Sequence, residues 1–194
     1  MLKIIIFSII SYFSGALMFS YWLGKLKGID IRKVGDGNPG VANAWKSGGW
    51  KIGIPAMLLD GLKGFIPVFI GYRVLNINDY RLVPIAIAPI FGHAFSAFMN
   101  LRGGKALMTT FGIWIALTFW EVPTILGLML LFFKFGLKIK NDAINTIAGM
   151  FSVLIYLILR NFSPIMLLIF IINTGIVLAK TWKELDIVKL ESSL

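Results

Sequence analysis

A chain of 194 residues that is 58% hydrophobic and only 14% charged, with a mean hydropathy of +0.84, excludes an ordinary soluble domain, in which about a quarter of residues carry charge. It predicts one all-α integral membrane domain over residues 1–194, and the net charge of +10 is read as cytoplasmic loops facing anionic headgroups, not as a nucleic-acid surface. The absence of cysteine excludes disulfides, thiolate nucleophiles and Cys-ligated metals.

Residues Ile4 to Gly24 carry no charge over 21 positions, enough to cross the roughly 30 Å hydrocarbon core as one helix, and are read as a retained span without a signal-type cleavage site. Lys25 to Lys51 is a polar loop with six basic residues against Asp30 and Asp36. The second span, Ile52 to Tyr72, contains Asp60 and Lys63, which at i and i+3 share a helix face and can pair. Leu82 to Leu101 forms the third and holds the only histidine, His93, before the short basic loop R-G-G-K at Arg102 to Lys105.

Ala106 to Phe133 is 28 residues long, interrupted by Glu121 and Pro123, and fits either one overlong helix or two short ones. Charge decides between them. Two helices put 14 basic residues on one side and 4 on the other, whereas one helix leaves 9 on each and removes the asymmetry that sets orientation. With Asp142 to Leu159 and Pro164 to Thr181, the prediction is seven transmembrane helices, N-terminus outside and C-terminus cytoplasmic, with both glycine-rich loops on the cytoplasmic face. Lys25, Lys27, Lys134, Lys138 and Lys140 are read as topology signals and not as site residues.

The most informative stretch is Val34 to Lys46, V-G-D-G-N-P-G-V-A-N-A-W-K. Glycines let backbone N–H groups approach an anion, and nearby Asn and Lys side chains add donors. Together with Asp60, Lys63 and the R-G-G-K loop, it forms a set of parts suited to phosphate. Other chemistries are excluded by what is missing. His93 has no carboxylate near it in sequence to complete a hydrolase triad. The His-x4-Asp arrangement of the common acyltransferases would need an aspartate where Phe98 stands. The nine carboxylates are scattered, so no metal or other cofactor is expected.

Five motifs then occur in order: S-Y-x-x-G (Ser11, Tyr12, Gly15), G-x-D-x-R (Gly28, Asp30, Arg32), G-x-G-N-x-G-x-x-N (Gly35 to Asn43), D-x-x-K-G (Asp60 to Gly64), and G-H-x-F-x-x-F followed by R-G-G-K (Gly92 to Lys105). Over residues 1 to about 112 this order and spacing resemble the bacterial acyl-phosphate:glycerol-3-phosphate acyltransferases. The resemblance implies a seven-helix enzyme of the bacterial inner membrane with a cytoplasmic active site. It implies transfer of a fatty acyl group from acyl phosphate to glycerol 3-phosphate, giving lysophosphatidic acid and phosphate, with substrate phosphate serving in proton transfer. Lys105, Asn43 and His93 would act at the reacting groups. Gly37, Asn38, Gly40, Lys46, Lys63, Gly103, Gly104 and Thr109 would bind substrate phosphate, and Ser11, Asp36 and Asp60 would shape the site. The partners implied are the two substrates and membrane lipid, with a monomeric enzyme and no nucleic acid.

Several positions depart from the family pattern. Lys46 stands for arginine and lacks its bidentate fork. Asp36 replaces serine, Ala42 threonine and Ser96 proline, while Ala106, Leu107 and Met108 replace Gly-Val-Ala before the retained Thr109. Lys183 to Leu190 lies where the family carries H-R-x-N-I-x-R-L. An alternative is a paralogue with altered or lost catalysis that binds an anionic lipid or another phosphorylated acceptor.

Overall fold

The computed structural model describes residues 1–191, with side chains throughout except at Lys183 and 186–191. Among these residues it is all-helical: α1 (Leu2–Ala16), α2 (Phe19–Leu26), α3 (Val41–Phe69), α4 (Leu82–Ala94), α5 (Leu107–Thr118), α6 (Glu121–Leu131), α7 (Asp142–Leu159) and α8 (Pro164–Glu191). Five stretches are long and apolar enough to cross a membrane: Leu2–Leu26, Val41–Val74, Leu82–Met99, Asp142–Leu159 and Pro164–Trp182. The 28-residue segment is broken, with Phe119 in a left-handed conformation (φ 53°) between α5 and α6. Those two helices have 12 and 11 residues, roughly 16–18 Å each, short of a full hydrocarbon core when taken alone.

The first apolar segment is not one continuous helix. It breaks at Leu17, which is extended (φ −63°, ψ 122°), and resumes as α2. The break has a tertiary cause, because the carbonyls it frees are taken by side chains of α3 and of the α4–α5 loop. Lys63 Nζ donates to Leu17 O, and Ser96 Oγ donates to Ala16 O at 2.6 Å. Backbone carbonyls at membrane depth need such partners, since lipid offers none. At the other end of the first loop, α3 begins at Val41, earlier than the expected span, and bends at Gly49, whose φ of 57° and ψ of −152° are non-helical.

Small residues let the helices approach closely. A side chain at Gly15 would run into the backbone of Pro89, and one at Gly92 into Tyr12 O, so α1 and α4 cross backbone to backbone. Gly64 and Gly112 do the same for α3 and α5, against Thr109 O and Gly61 O. Inside, Ile85, Ile90, Ile113, Trp114, Leu126 and Phe170 form one apolar core, whereas Ile5, Ile9, Phe13, Leu58, Phe151 and Ile171 point outward, as a lipid-facing surface requires. Trp114 Nε1 donates to Asn173 Oδ1 at 3.1 Å, and Asn173 Nδ2 donates to Thr110 Oγ1 at 2.9 Å, a satisfied polar chain that ties α5 to α8.

At one end of the bundle the α2–α3 loop, the α4–α5 loop, the start of α7 and Glu184 of α8 meet around a cavity of about 640 Å³.

Candidate active site

The α2–α3 loop is shaped by local chemistry. Asp30 accepts from Arg32 Nε and Nη2 at 2.9 and 2.7 Å, and the Arg32 guanidinium lies 4.6 Å from the Tyr21 ring centre, so G-x-D-x-R anchors the loop to α2. Gly35 and Gly37 both take left-handed backbone (φ 61° and 73°), and at Gly35 a Cβ would also strike Asn43 Oδ1. Between them Asp36 Oδ1 accepts from Asn38 N at 3.1 Å and from Asn43 Nδ2 at 2.7 Å, while Asn43 Nδ2 also reaches Asn38 O at 2.9 Å. The loop is thus folded back onto the first turn of α3, with Lys46 Nζ 3.3 Å from where a Gly35 Cβ would stand.

The second loop packs against His93. Gly104 N donates to His93 O at 3.0 Å. A Cβ at Gly103 would collide with His93 O, and one at Gly104 would collide with His93 Nε2 and stand 3.1 Å from Asn38 Oδ1. Both glycines are therefore required by close approach, and Gly104 is where the two loops and the histidine converge. Ala106 follows with a left-handed φ of 63°, at a position where the family pattern has glycine. Gly104→Ala is expected to lower turnover roughly 10²-fold while the bundle still folds, because the displaced groups belong to the site and not to the core. Initial rates alongside thermal unfolding in detergent would check this.

Lys105 joins the two loops to the end of α8. Its Nζ lies 2.7 Å from Asp36 Oδ2, 2.6 Å from Glu184 Oε1 and 2.8 Å from Glu184 Oε2. Burial acts to lower the Lys105 pKa, but the hydrogen bonds and charges of Asp36 and Glu184 outweigh it and hold the ammonium above the ordinary lysine range. Burial acts to raise the Asp36 pKa, and the opposing contacts with Lys105, Asn38 and Asn43 bring it down to about 2. Glu184 is pushed up, by burial first and by the Asp36 charge, against the pull of Lys105. The two carboxylates thus titrate apart.

The cavity wall carries Asp36, Asn38, Gly40, Asn43, Lys46, Asp60, His93 and Lys105 of the expected site residues. Others are placed differently. Lys63, expected to bind phosphate, lies off the wall: its side chain is 1% exposed, 2.7 Å from Asp60 Oδ1, and donates to Leu17 O. Thr109 donates to Asp60 O at 3.2 Å, and Ser11 to Phe7 O at 2.8 Å, both buried and off the wall. Asp60 is further held by Ser20 Oγ at 2.5 Å. Gly37 and Gly103 set the loop backbones without lining the cavity. Conversely, Lys140, read as a topology signal, stands on the wall, and Asn141, Asn145 and Glu184 join it. An Asn-Asp pair before an apolar helix marks an N-cap, and Asn141 Oδ1 does accept from Ile144 N at 2.9 Å. Nothing local marks Glu184.

The lining also has an apolar part, Val41, Trp45, Leu107, Met108 and Leu130. A glycine-rich polar end carrying Lys46, Lys105 and Lys140, beside apolar lining at the end of a membrane bundle, suits a phosphate with an alkyl chain. Comparison with known proteins agrees, since the glycerol-3-phosphate acyltransferase family description matches residues 5–190. The chain belongs to the glycerol-3-phosphate acyltransferase family.

This acyltransferase-family chain is similar to glycerol-3-phosphate acyltransferase 1 of Thermotoga maritima, at 41% identity over 164 residues, 79% of this chain and 81% of that one. It is 38% identical to glycerol-3-phosphate acyltransferase 2 of the same organism over 165 residues, 84% and 82% of the two chains. Among solved structures, PlsY (YgiH), an integral membrane glycerol 3-phosphate acyltransferase crystallised in its glycerol 3-phosphate form, superposes with a TM-score of 0.89 at 26% identity, covering 97% of this chain and 93% of PlsY. Its lysophosphatidic acid form gives 0.88 at 25% identity. The glycerol-3-phosphate acyltransferase fold therefore extends through α7 and α8, beyond the region where the motifs are legible.

Proposed function

We propose that this protein transfers a fatty acyl group from acyl phosphate to a hydroxyl of glycerol 3-phosphate, releasing lysophosphatidic acid and inorganic phosphate. The observation that carries the proposal is the convergence of both glycine-rich loops, Lys105 and an apolar wall on one cavity of about 640 Å³. Family membership and the likeness to PlsY in glycerol 3-phosphate and lysophosphatidic acid forms support the acceptor and the product.

In the reaction the acceptor hydroxyl oxygen attacks the acyl carbonyl carbon, the bond from that carbon to the phosphate oxygen breaks, and the hydroxyl proton passes to phosphate. Lys105 and Lys46 offset phosphate charge, Asn38 and Asn43 orient the polar groups, and His93 and Gly104 set the floor. The acyl chain runs along Trp45, Leu107, Met108 and Leu130. Asp60 and Lys63 hold the wall without touching substrate.

The active site faces the cytoplasm of a bacterial inner membrane in a monomeric single-domain protein with seven spans, α5 and α6 crossing as two short helices. Support comes from the charge asymmetry, because the four segments assigned to the basic side are those that contribute to the cavity. The cysteine-free chain allows single-cysteine labelling of intact cells: a cysteine at Lys33 is expected to be protected from an impermeant reagent and one at Arg81 labelled. The donor is tested by supplying purified protein and glycerol 3-phosphate with acyl phosphate, acyl-CoA or acyl carrier protein in turn. Turnover is expected with acyl phosphate alone; turnover only with a thioester would overturn the donor assignment.

A further inference from the structure

The polar end of the cavity is unusually rich in hydrogen-bond acceptors for an anion site. Lys105 carries one positive charge and meets two carboxylates, so the cluster has a formal charge of −1 before any ligand enters. Asn43 adds to this. Its Nδ2 is committed to Asp36 Oδ1 and Asn38 O, which fixes the amide orientation and leaves Oδ1, buried in a residue 1% exposed, without a donor. An ionised carboxylate only accepts hydrogen bonds. So does every oxygen of a fully ionised phosphate or sulfate. Two such groups in contact repel unless a proton lies between them.

We propose that Asp36 and Glu184 make the cavity selective for a phosphate group that still carries a proton, accepting its P–OH while Lys105 offsets the remaining charge. The inference rests on the phosphate-binding role given to the cavity under the proposed function. It identifies the ligand as a monohydrogen phosphate ester, R–OPO3H−, in preference to its dianion, and it assigns a purpose to the two carboxylates around Lys105. A phosphate monoester has its second pKa near 6, so both forms are populated around neutrality, whereas sulfate has the same shape and no proton to offer. Glu184, whose proton affinity is raised by burial and by Asp36, is a stronger acceptor for that proton than an exposed carboxylate. Among the described residues, those in charged contact with Glu184 are Lys105 and, across it, Asp36, and Lys180 stands one helical turn before it on α8. The other charged or titratable residues on the wall are Lys46, Lys140, His93, Asp60, which is paired with Lys63, and Asp142, which is paired with Lys134.

The test is direct binding of methyl phosphate, a monoester whose dianion carries no proton, and of sulfate to the purified full-length protein by calorimetry between pH 5 and pH 8, which does not depend on turnover. Wild type is expected to bind methyl phosphate about tenfold or more tightly than sulfate, with methyl phosphate affinity falling several-fold, up to about tenfold per pH unit, above the phosphate pKa. In Glu184→Gln and in Asp36→Asn an amide donor replaces an acceptor, so sulfate should bind comparably to methyl phosphate and the pH dependence should flatten. Glu184→Asp keeps the acceptor and should keep the selectivity, which separates the charge effect from a loss of packing. Equal affinity for the two anions in wild type, or methyl phosphate binding that tightens as pH rises, would overturn the proposal. If folded wild type binds neither anion at any pH, the phosphate role of the cavity fails and the selectivity goes with it.

Discussion

Lys105→Ala is expected to lower acyl transfer by about 10²–10³-fold, the scale seen when a charge-stabilising group is removed from a water-excluded site. Two effects add. The alanine removes the cation that meets both loops, and it leaves Asp36 and Glu184 facing each other across an empty position with nothing between their charges. A substrate phosphate then enters a site that repels it. The second effect makes the loss non-additive: Lys105→Ala combined with Glu184→Ala should be less impaired than the sum of the two single changes. Rates of phosphate release from acyl phosphate for the four proteins give the double-mutant cycle. Additive losses would mean that Lys105 and Glu184 act independently, contrary to their contact.

Asp60→Asn is expected to give the largest loss of stability, about 3–5 kcal/mol, the cost of leaving one partner of a buried ion pair uncompensated. Lys63 is 1% exposed at its side chain and Asp60 is fully buried, 2.7 Å apart on one face of α3. Asparagine keeps the shape of Asp60 and removes its charge, so the Lys63 ammonium stays buried with Leu17 O and loses its counter-ion. Because Lys63 also holds the break between α1 and α2, the effect spreads to the first helix. Replacing both, as Asp60→Asn with Lys63→Met, removes the stranded charge and should recover most of the loss. Thermal unfolding in detergent separates the cases. A single variant as stable as wild type would show that Lys63 does not depend on its carboxylate.

Acid conditions probe the loop through Asp36. Its folded-state pKa is depressed to about 2, so the stability it contributes is present above the ordinary carboxylate range and lost as pH falls toward that value. Glu184 has the opposite sign. Its pKa is raised, so deprotonation during a rise in pH works against the folded cluster.

The parts of this molecule legible in the sequence are those whose cause is local. Gly35 and Gly37 need left-handed backbone, Asn43 is seven residues from the carboxylate it binds, and Asp60 and Lys63 are one helical turn apart. The helix break near Glu121 was legible because Glu121 and Pro123 interrupt an apolar run locally, and charge counting favoured two helices there. What escaped has causes far along the chain. The break at Leu17 depends on Lys63 and Ser96, and Glu184 gains its meaning only from a lysine 79 residues away. Lys140 was hidden by its company, since a loop lysine that orients a protein and one that lines a cavity have the same sequence signature. Lys63 drew attention as a charge inside a span, and in the fold it pairs with Asp60 and donates to Leu17 O, off the cavity wall.

The account is tested most directly by giving the purified, folded protein in lipid both acyl phosphate and glycerol 3-phosphate and following the two products together. It predicts lysophosphatidic acid and inorganic phosphate in equal amounts, neither formed at rate when glycerol 3-phosphate is omitted. Folded protein that makes no lysophosphatidic acid across a range of acyl chain lengths would contradict it.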